Sequence, residues 1–142
     1  MLMRKDMKTS EEQLDFTPKF DAQGLMPCVT TSAKTGKVLM VAYMNDLAIR
    51  KTIETSEAHY WSRSRDELWH KGASSGMVQR VVEMRTDCDQ DCIWISVDMD
   101  EEASCHTGRE SCFYRKMELG QSGKVTMKMV DDKRIFDPDE VY

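Results

Sequence analysis

The apolar residues on either side of Asp87-Cys88-Asp89-Gln90-Asp91-Cys92 do not keep one phase. Before this run the even positions Val78, Val82 and Met84 are apolar, and after it the odd positions Ile93, Ile95 and Val97 are. Side chains of a strand alternate between its two faces, so one straight strand cannot carry both sets to one core. A turn or bulge inside residues 86–92 is therefore expected. After it, Ile93, Ile95, Val97 and Met99 alternate with Trp94, Ser96 and Asp98 at the period of a half-buried strand.

Other elements follow from local pattern. GKVLMVAYM, 36–44, is a continuous apolar run after the turn-like AKTG and predicts a strand covered on both faces, the central one of its sheet. Asn45 is a good N-cap for DLAIRKTIETSEA, where Ile49 and Ile53 lie four apart, and a helix of about three turns is expected. From His59 the chain reads as short strands and turns: HYWS, RSRDE, LWHKGASSG and MVQRVVEMR. SCFYRKM, 111–117, is a further strand, KVTMKMV after GQSG an edge strand, and DPDEVY a frayed end. The expected fold is α+β, mainly β, a small single domain with one principal helix. Residues 1–22 form a polar, loosely packed N-terminal arm, 23–117 the domain, and 118–142 a C-terminal tail with the possible edge strand.

With 142 residues there is room for one core and no second catalytic module. The composition, 40% hydrophobic and 32% charged, disfavours both disorder and membrane insertion, and no apolar run approaches the ~20 residues of a spanning helix. The first sixteen residues hold charges but no apolar signal core, so the expectation is a cytoplasmic protein with five reduced cysteines. A net charge of −5 speaks against general nucleic-acid binding.

Carboxylates are hard donors suited to Mg²⁺ or Ca²⁺, whereas thiolates are soft donors that select Zn²⁺. Asp87, Asp89 and Asp91 alternate with Cys88, Gln90 and Cys92, so a locally extended backbone sends acids and thiols opposite ways, toward two ions. Downstream, SCHTGRESC supplies Cys105, His106 and Cys112 to join Cys88. Three cysteines plus water make an open, catalytic zinc site; a fourth ligand, Cys92 or His106, makes a closed structural one. In an extended strand Cys88 and Cys92 lie roughly 13 Å apart, too far to share an ion, an objection that a turn weakens. His106 reads either as a general acid or base or as a structural hydrogen-bond partner. Cys28 and His59 read as packed residues, and His70 as an anion partner or an exposed side chain. SRSR, 62–65, and HKGASSG, 70–76, combine cations, hydroxyls and glycines suited to phosphate. Trp61 and Trp69 beside them read as packing residues.

VLMVAYMN, HYWSRSRDELWHKGASSG, DCDQD and SCHTGRESCF occur in that order. Together they resemble the phosphoribosyl-AMP cyclohydrolase family of histidine biosynthesis, from about Gly24 to Arg115. The resemblance implies hydrolysis of the N1–C6 bond of the adenine ring of phosphoribosyl-AMP by zinc-activated water. It implies a homodimer of the monofunctional form, without the family's companion pyrophosphatase domain, with zinc on Cys88, Cys105 and Cys112 shared between subunits and Mg²⁺ on Asp87, Asp89 and Asp91. His106 is the expected catalytic acid or base. Arg63, Ser64, Arg65, Lys71, Ser75 and Gly76 are the expected substrate contacts. Cys92 stands where an ordinary strand residue is expected, and Ser104 where alanine is frequent. The competing readings are a zinc-stabilised, non-enzymatic binding module and a thiol hydrolase with Cys105 as nucleophile beside His106.

Overall fold

A computed structural model describes residues 11–141. The strands are β1 (Met26–Ser32), β2 (Val38–Met44), β3 (His59–Ser62), β4 (Glu67–His70), β5 (Arg80–Thr86), β6 (Ile93–Asp98), β7 (Arg115–Met117) and β8 (Met127–Met129). The helices are α1 (Asp46–Thr55) and a single turn, α2 (Pro138–Val141). The result is the mainly β, α+β domain with one principal helix that the sequence predicts. None of the described helices is long and apolar enough to cross a membrane.

The main sheet has the order β2-β1-β6-β5, with β1 antiparallel to β2, parallel to β6, and β6 antiparallel to β5. Its core is built from Met26, Cys28, Leu39, Met40, Met44, Ile93, Ile95, Val97 and Met99, joined by Ala48 and Ile49 of α1 and Tyr60 of β3. The predicted central strand is a correction: β2 lies at the sheet edge, and Val38 and Val41 are exposed. Leu39, Met40 and Met44 of the apolar run are buried in the core, while the exposure of Val38 and Val41 means that the strand is not covered on both faces. The Ser111 hydroxyl donates to the Val38 carbonyl at 2.7 Å, and the Cys112 N–H donates to the Leu39 carbonyl at 2.7 Å. The outer edge of β2 is thus partly capped by the segment carrying Cys112, which satisfies carbonyls that an open edge would leave to solvent.

Asn45 caps α1 as expected, its side chain accepting from the Ala48 N–H at 2.9 Å. The helix ends at Ser56 in the left-handed region, and Ile53, counted on the apolar face by spacing, is 64% exposed. Thr52 anchors the buried side: its hydroxyl donates to the Ala48 carbonyl and accepts from the His59 N–H, tying α1 to β3.

The phase change has two causes. Residues 87–92 form the expected turn, where the Asp87 N–H donates to the Cys92 carbonyl, the Gln90 N–H to the Asp87 carbonyl, and Gln90 takes φ 58°. A bulge also interrupts β5, since Val81 pairs with Val97 and Glu83 with Ser96, leaving Val82 as the extra residue. Val82 accordingly points out and is 62% exposed, while Val81 and Met84 pack on the core. The N-terminal side of the turn is held by Gln90. Its side chain accepts from the Thr17 N–H at 2.8 Å and donates to the Asp15 carbonyl, and the Lys19 N–H donates to its backbone carbonyl.

Candidate active site

Asp87, Asp89 and Asp91 can bring one carboxylate oxygen each within 4.8 Å of the others. They meet because the backbone turns, and not because an extended strand alternates: the expected alternation is corrected by the loop hydrogen bonds. The Asp87 carboxylate accepts from the Asp91 N–H at 3.0 Å and the Cys92 N–H at 3.1 Å. Burial works against the charged form of Asp87, but hydrogen bonding with Asp91, Asp89 and those two N–H groups outweighs it and holds the carboxyl below its usual value. Asp89 and Asp87 push Asp91 the other way, up to about 6. All three residues are exposed. Near neutral pH the loop gathers three negative charges, and an oxygen-ligated divalent cation fits that donor set.

Cys105, His106 and Cys112 lie on a second turn. The Cys105 N–H donates to the Arg109 carbonyl and the Gly108 N–H to the Cys105 carbonyl, folding the loop back on itself. The two thiols approach closely: burial and then hydrogen bonding and charge from Cys105 push Cys112 up to about 12, although Cys112 itself faces solvent. A thiophilic cation would relieve the crowding of the two sulfurs, so these side chains fit zinc in donor chemistry. The Thr107 hydroxyl donates to the Cys105 sulfur at 3.0 Å, a partner that residue type alone did not reveal.

Behind the thiols runs a buried polar chain. Thr30 and Tyr60 share a hydrogen bond of 2.7 Å, Tyr60 donates to the Gln79 side chain at 2.6 Å, and the Gln79 amide donates to the Ser104 hydroxyl at 3.2 Å. Ser104 is therefore a hydrogen-bonding position, which gives its hydroxyl a use that alanine lacks. Its carbonyl accepts from Lys71 Nζ at 2.7 Å. Lys71 is only 4% exposed; burial lowers its pKa, and Cys112 and Cys105 partly restore it. The turn after Lys71 requires glycine, because Gly72 has φ 94° and a side chain there would collide with the backbone of Met77 and Val78.

A cleft of about 580 Å³ opens over these groups, lined by Arg65, Lys71, Ser75, Ser104, His106 and Cys112 among others. Arg65 also borders a neighbouring cavity of about 420 Å³ that contains Arg63 and Ser64. Arg63 stacks over Tyr43 at 4.0 Å. Gly76 lies in the turn that closes onto Gly72, its N–H donating to the Gly72 carbonyl, and does not line either cavity. His70 forms part of the cleft wall, hydrogen-bonded to Glu57 at 2.8 Å and stacked on the buried His59 at 4.3 Å. It has a protein partner where the sequence left it open between an anion and solvent.

Of the three expected zinc ligands, one chain brings together Cys105 and Cys112. Cys88 sits exposed on the acidic turn, and among the described residues the three aspartates are the one set of three or more such ligands that converges. Cys92 is half-buried, its thiol directed to the Ile93 carbonyl at 3.7 Å. Burial and the charges of Asp87, Asp91 and Asp89 raise its pKa.

The phosphoribosyl-AMP cyclohydrolase family profile matches residues 40–114. Curated relatives carrying the name phosphoribosyl-AMP cyclohydrolase are similar along nearly the whole chain. The protein of Nitrobacter winogradskyi is 58% identical over 138 residues, covering 97% of this chain and 94% of its own. Those of Nitrobacter hamburgensis and Bradyrhizobium diazoefficiens are 60% and 61% identical over 132 residues, covering 93% of this chain and 89% and 93% of theirs.

Proposed function

Since the chain belongs to the phosphoribosyl-AMP cyclohydrolase family, a hydrolase family of histidine biosynthesis, we propose that its thiol loop and cleft open the adenine ring of phosphoribosyl-AMP by hydrolysis at N1–C6. The observation that carries this reading is the meeting of Cys112, His106 and Lys71 around one cleft that also exposes Arg65 and Ser75, with the buried Cys105 beside Cys112. A closed binding module has no need of such a cleft.

Cys105 and Cys112 hold zinc from one chain, with Cys88 contributed by a second subunit of a homodimer. The separation of Cys88 from the other two thiols within one chain supports this sharing. When bound, zinc supplies a Lewis acid that lowers the pKa of a coordinated water toward about 7. Three thiolates leave the centre with surplus negative charge, and Lys71, facing Cys105 and Cys112, offsets it. His106 accepts the proton of the attacking water at its imidazole and returns one to N1 as the N1–C6 bond breaks, so oxygen is added at C6 and the ring opens. Thr107 orients the Cys105 sulfur from behind.

The substrate carries two phosphate-bearing arms. Arg65 at the border of two cavities, with Lys71 and Ser75 on one side and Arg63 and Ser64 on the other, supports a seat for each. Asp87, Asp89 and Asp91 would hold Mg²⁺, which would supply positive charge for a substrate phosphate. Reduced thiols fit a cytoplasmic enzyme.

Mixed dimers test the sharing. Cys88→Ser and Cys112→Ser chains are each inactive alone, but a mixed dimer retains one site with all three native thiols. Random exchange at equal amounts should restore about a quarter of wild-type turnover. A zinc site contained in one chain gives no restoration.

A further inference from the structure

The segment after Met117 returns to the thiol loop. The Ile135 N–H donates to the Gly108 carbonyl at 2.6 Å, and Arg109 and Arg134 form an isolated β-bridge. Gly108 has φ 89°, and any side chain on it would run into the carbonyl of Phe136. Position 108 is therefore a glycine both for its backbone and because the tail lies across it. Beside this crossing, Arg109 donates to Asp132 at 2.6 Å and stacks over Tyr114 at 4.2 Å. The Arg109 side chain is only 8% exposed, its Nε has no hydrogen-bond partner, and Asp132 is 64% exposed. A buried guanidinium with one carboxylate partner depends on it strongly, because losing the partner strands the charge. A third tie comes from Lys37, which bridges Glu110 of the loop at 3.0 Å and Asp131 of the tail at 3.1 Å.

We propose that the tail is a strap that fixes the loop bearing Cys105, His106 and Cys112, with Asp132, acting through Arg109, as a positioning residue for the site. Arg109 sits between the two thiols in sequence, and its carbonyl accepts from the Cys105 N–H. The ion pair therefore restrains the backbone turn that sets the two sulfurs against each other. Zinc binding at these thiols is the reading proposed above, and the strap rests on it for its catalytic consequence only. Protection of Cys105 in the metal-free chain follows from the strap alone.

The test uses the full chain with Asp132→Asn, Asp132→Ala and Asp132→Glu. In metal-free protein, the rate at which an aromatic disulfide reagent labels Cys105, located by peptide mass spectrometry, should rise about tenfold in the Asn and Ala variants. Zinc loss to a chromogenic chelator should accelerate similarly, and kcat should fall with KM for phosphoribosyl-AMP little changed. The Glu variant should return all three toward wild type, together with any melting temperature lost in the Asn variant. Wild-type labelling rates in both Asn and Ala variants overturn the strap. So does faster labelling that tracks a general loss of melting temperature and is not rescued by Glu. A wild-type protein that binds no zinc overturns the zinc reading, while the labelling comparison still decides the strap.

Discussion

Cys105 is constrained from several sides: its N–H by the Arg109 carbonyl, its sulfur by Thr107, and its neighbour Ser104 by both Gln79 and Lys71. Cys105→Ser should abolish zinc retention and turnover together, measured as metal content and phosphoribosyl-AMP hydrolysis on the same preparation. Retained zinc with lost turnover would point to a thiol nucleophile instead. Ser104→Ala removes the oxygen acceptor of the buried Gln79 amide, and denaturant unfolding should show a loss of about 1 kcal/mol. At this scale the sequence exposed the donor chemistry, because hard carboxylates and soft thiols differ by residue type. It did not expose Thr107 or Arg109, whose contacts depend on how the loop folds back. Nor did it explain Ser104, whose partner Gln79 is 25 residues away.

Among elements, the acidic turn carries a pH dependence. The folded pKa of Asp91 is raised to about 6, above its ordinary 3.8, so its favourable contribution is complete below 3.8 and is lost as pH rises through 6. Above pH 6 the cation-free turn holds three repelling carboxylates. Added Mg²⁺ should therefore raise the melting temperature more at pH 7.5 than at pH 5, and Asp91→Asn should remove most of that difference. Helix α1 offers a simpler case: Asn45→Ala removes its N-cap bond and should cost about 1 kcal/mol by chemical denaturation. The cap, the helix and the turn were legible because each is a local signal. The edge position of β2 was not, since its cover comes from Ser111 and Cys112, some seventy residues on. The same applies to Val82: apolar spacing suggested an inward residue, but the β5 bulge turns it out.

For the whole molecule, family membership and the site geometry agree: an ordered set of motifs folds so that the Cys112 thiol, a histidine and basic side chains line one cleft, with Cys105 beside Cys112 and an acidic turn on the same domain. The mainly β fold was legible from strand periodicity, and a zinc site shared between subunits was implied by the family resemblance alone; what the folded chain adds is that Cys88 lies exposed on the acidic turn and does not converge with Cys105 and Cys112. The account joins zinc to turnover. Its most direct test is phosphoribosyl-AMP hydrolysis followed as zinc is removed by a chelator and then titrated back, with metal content measured on the same samples. Turnover should fall in proportion to zinc, and return in proportion as zinc is restored to one ion per site. Full turnover in zinc-free protein would contradict it.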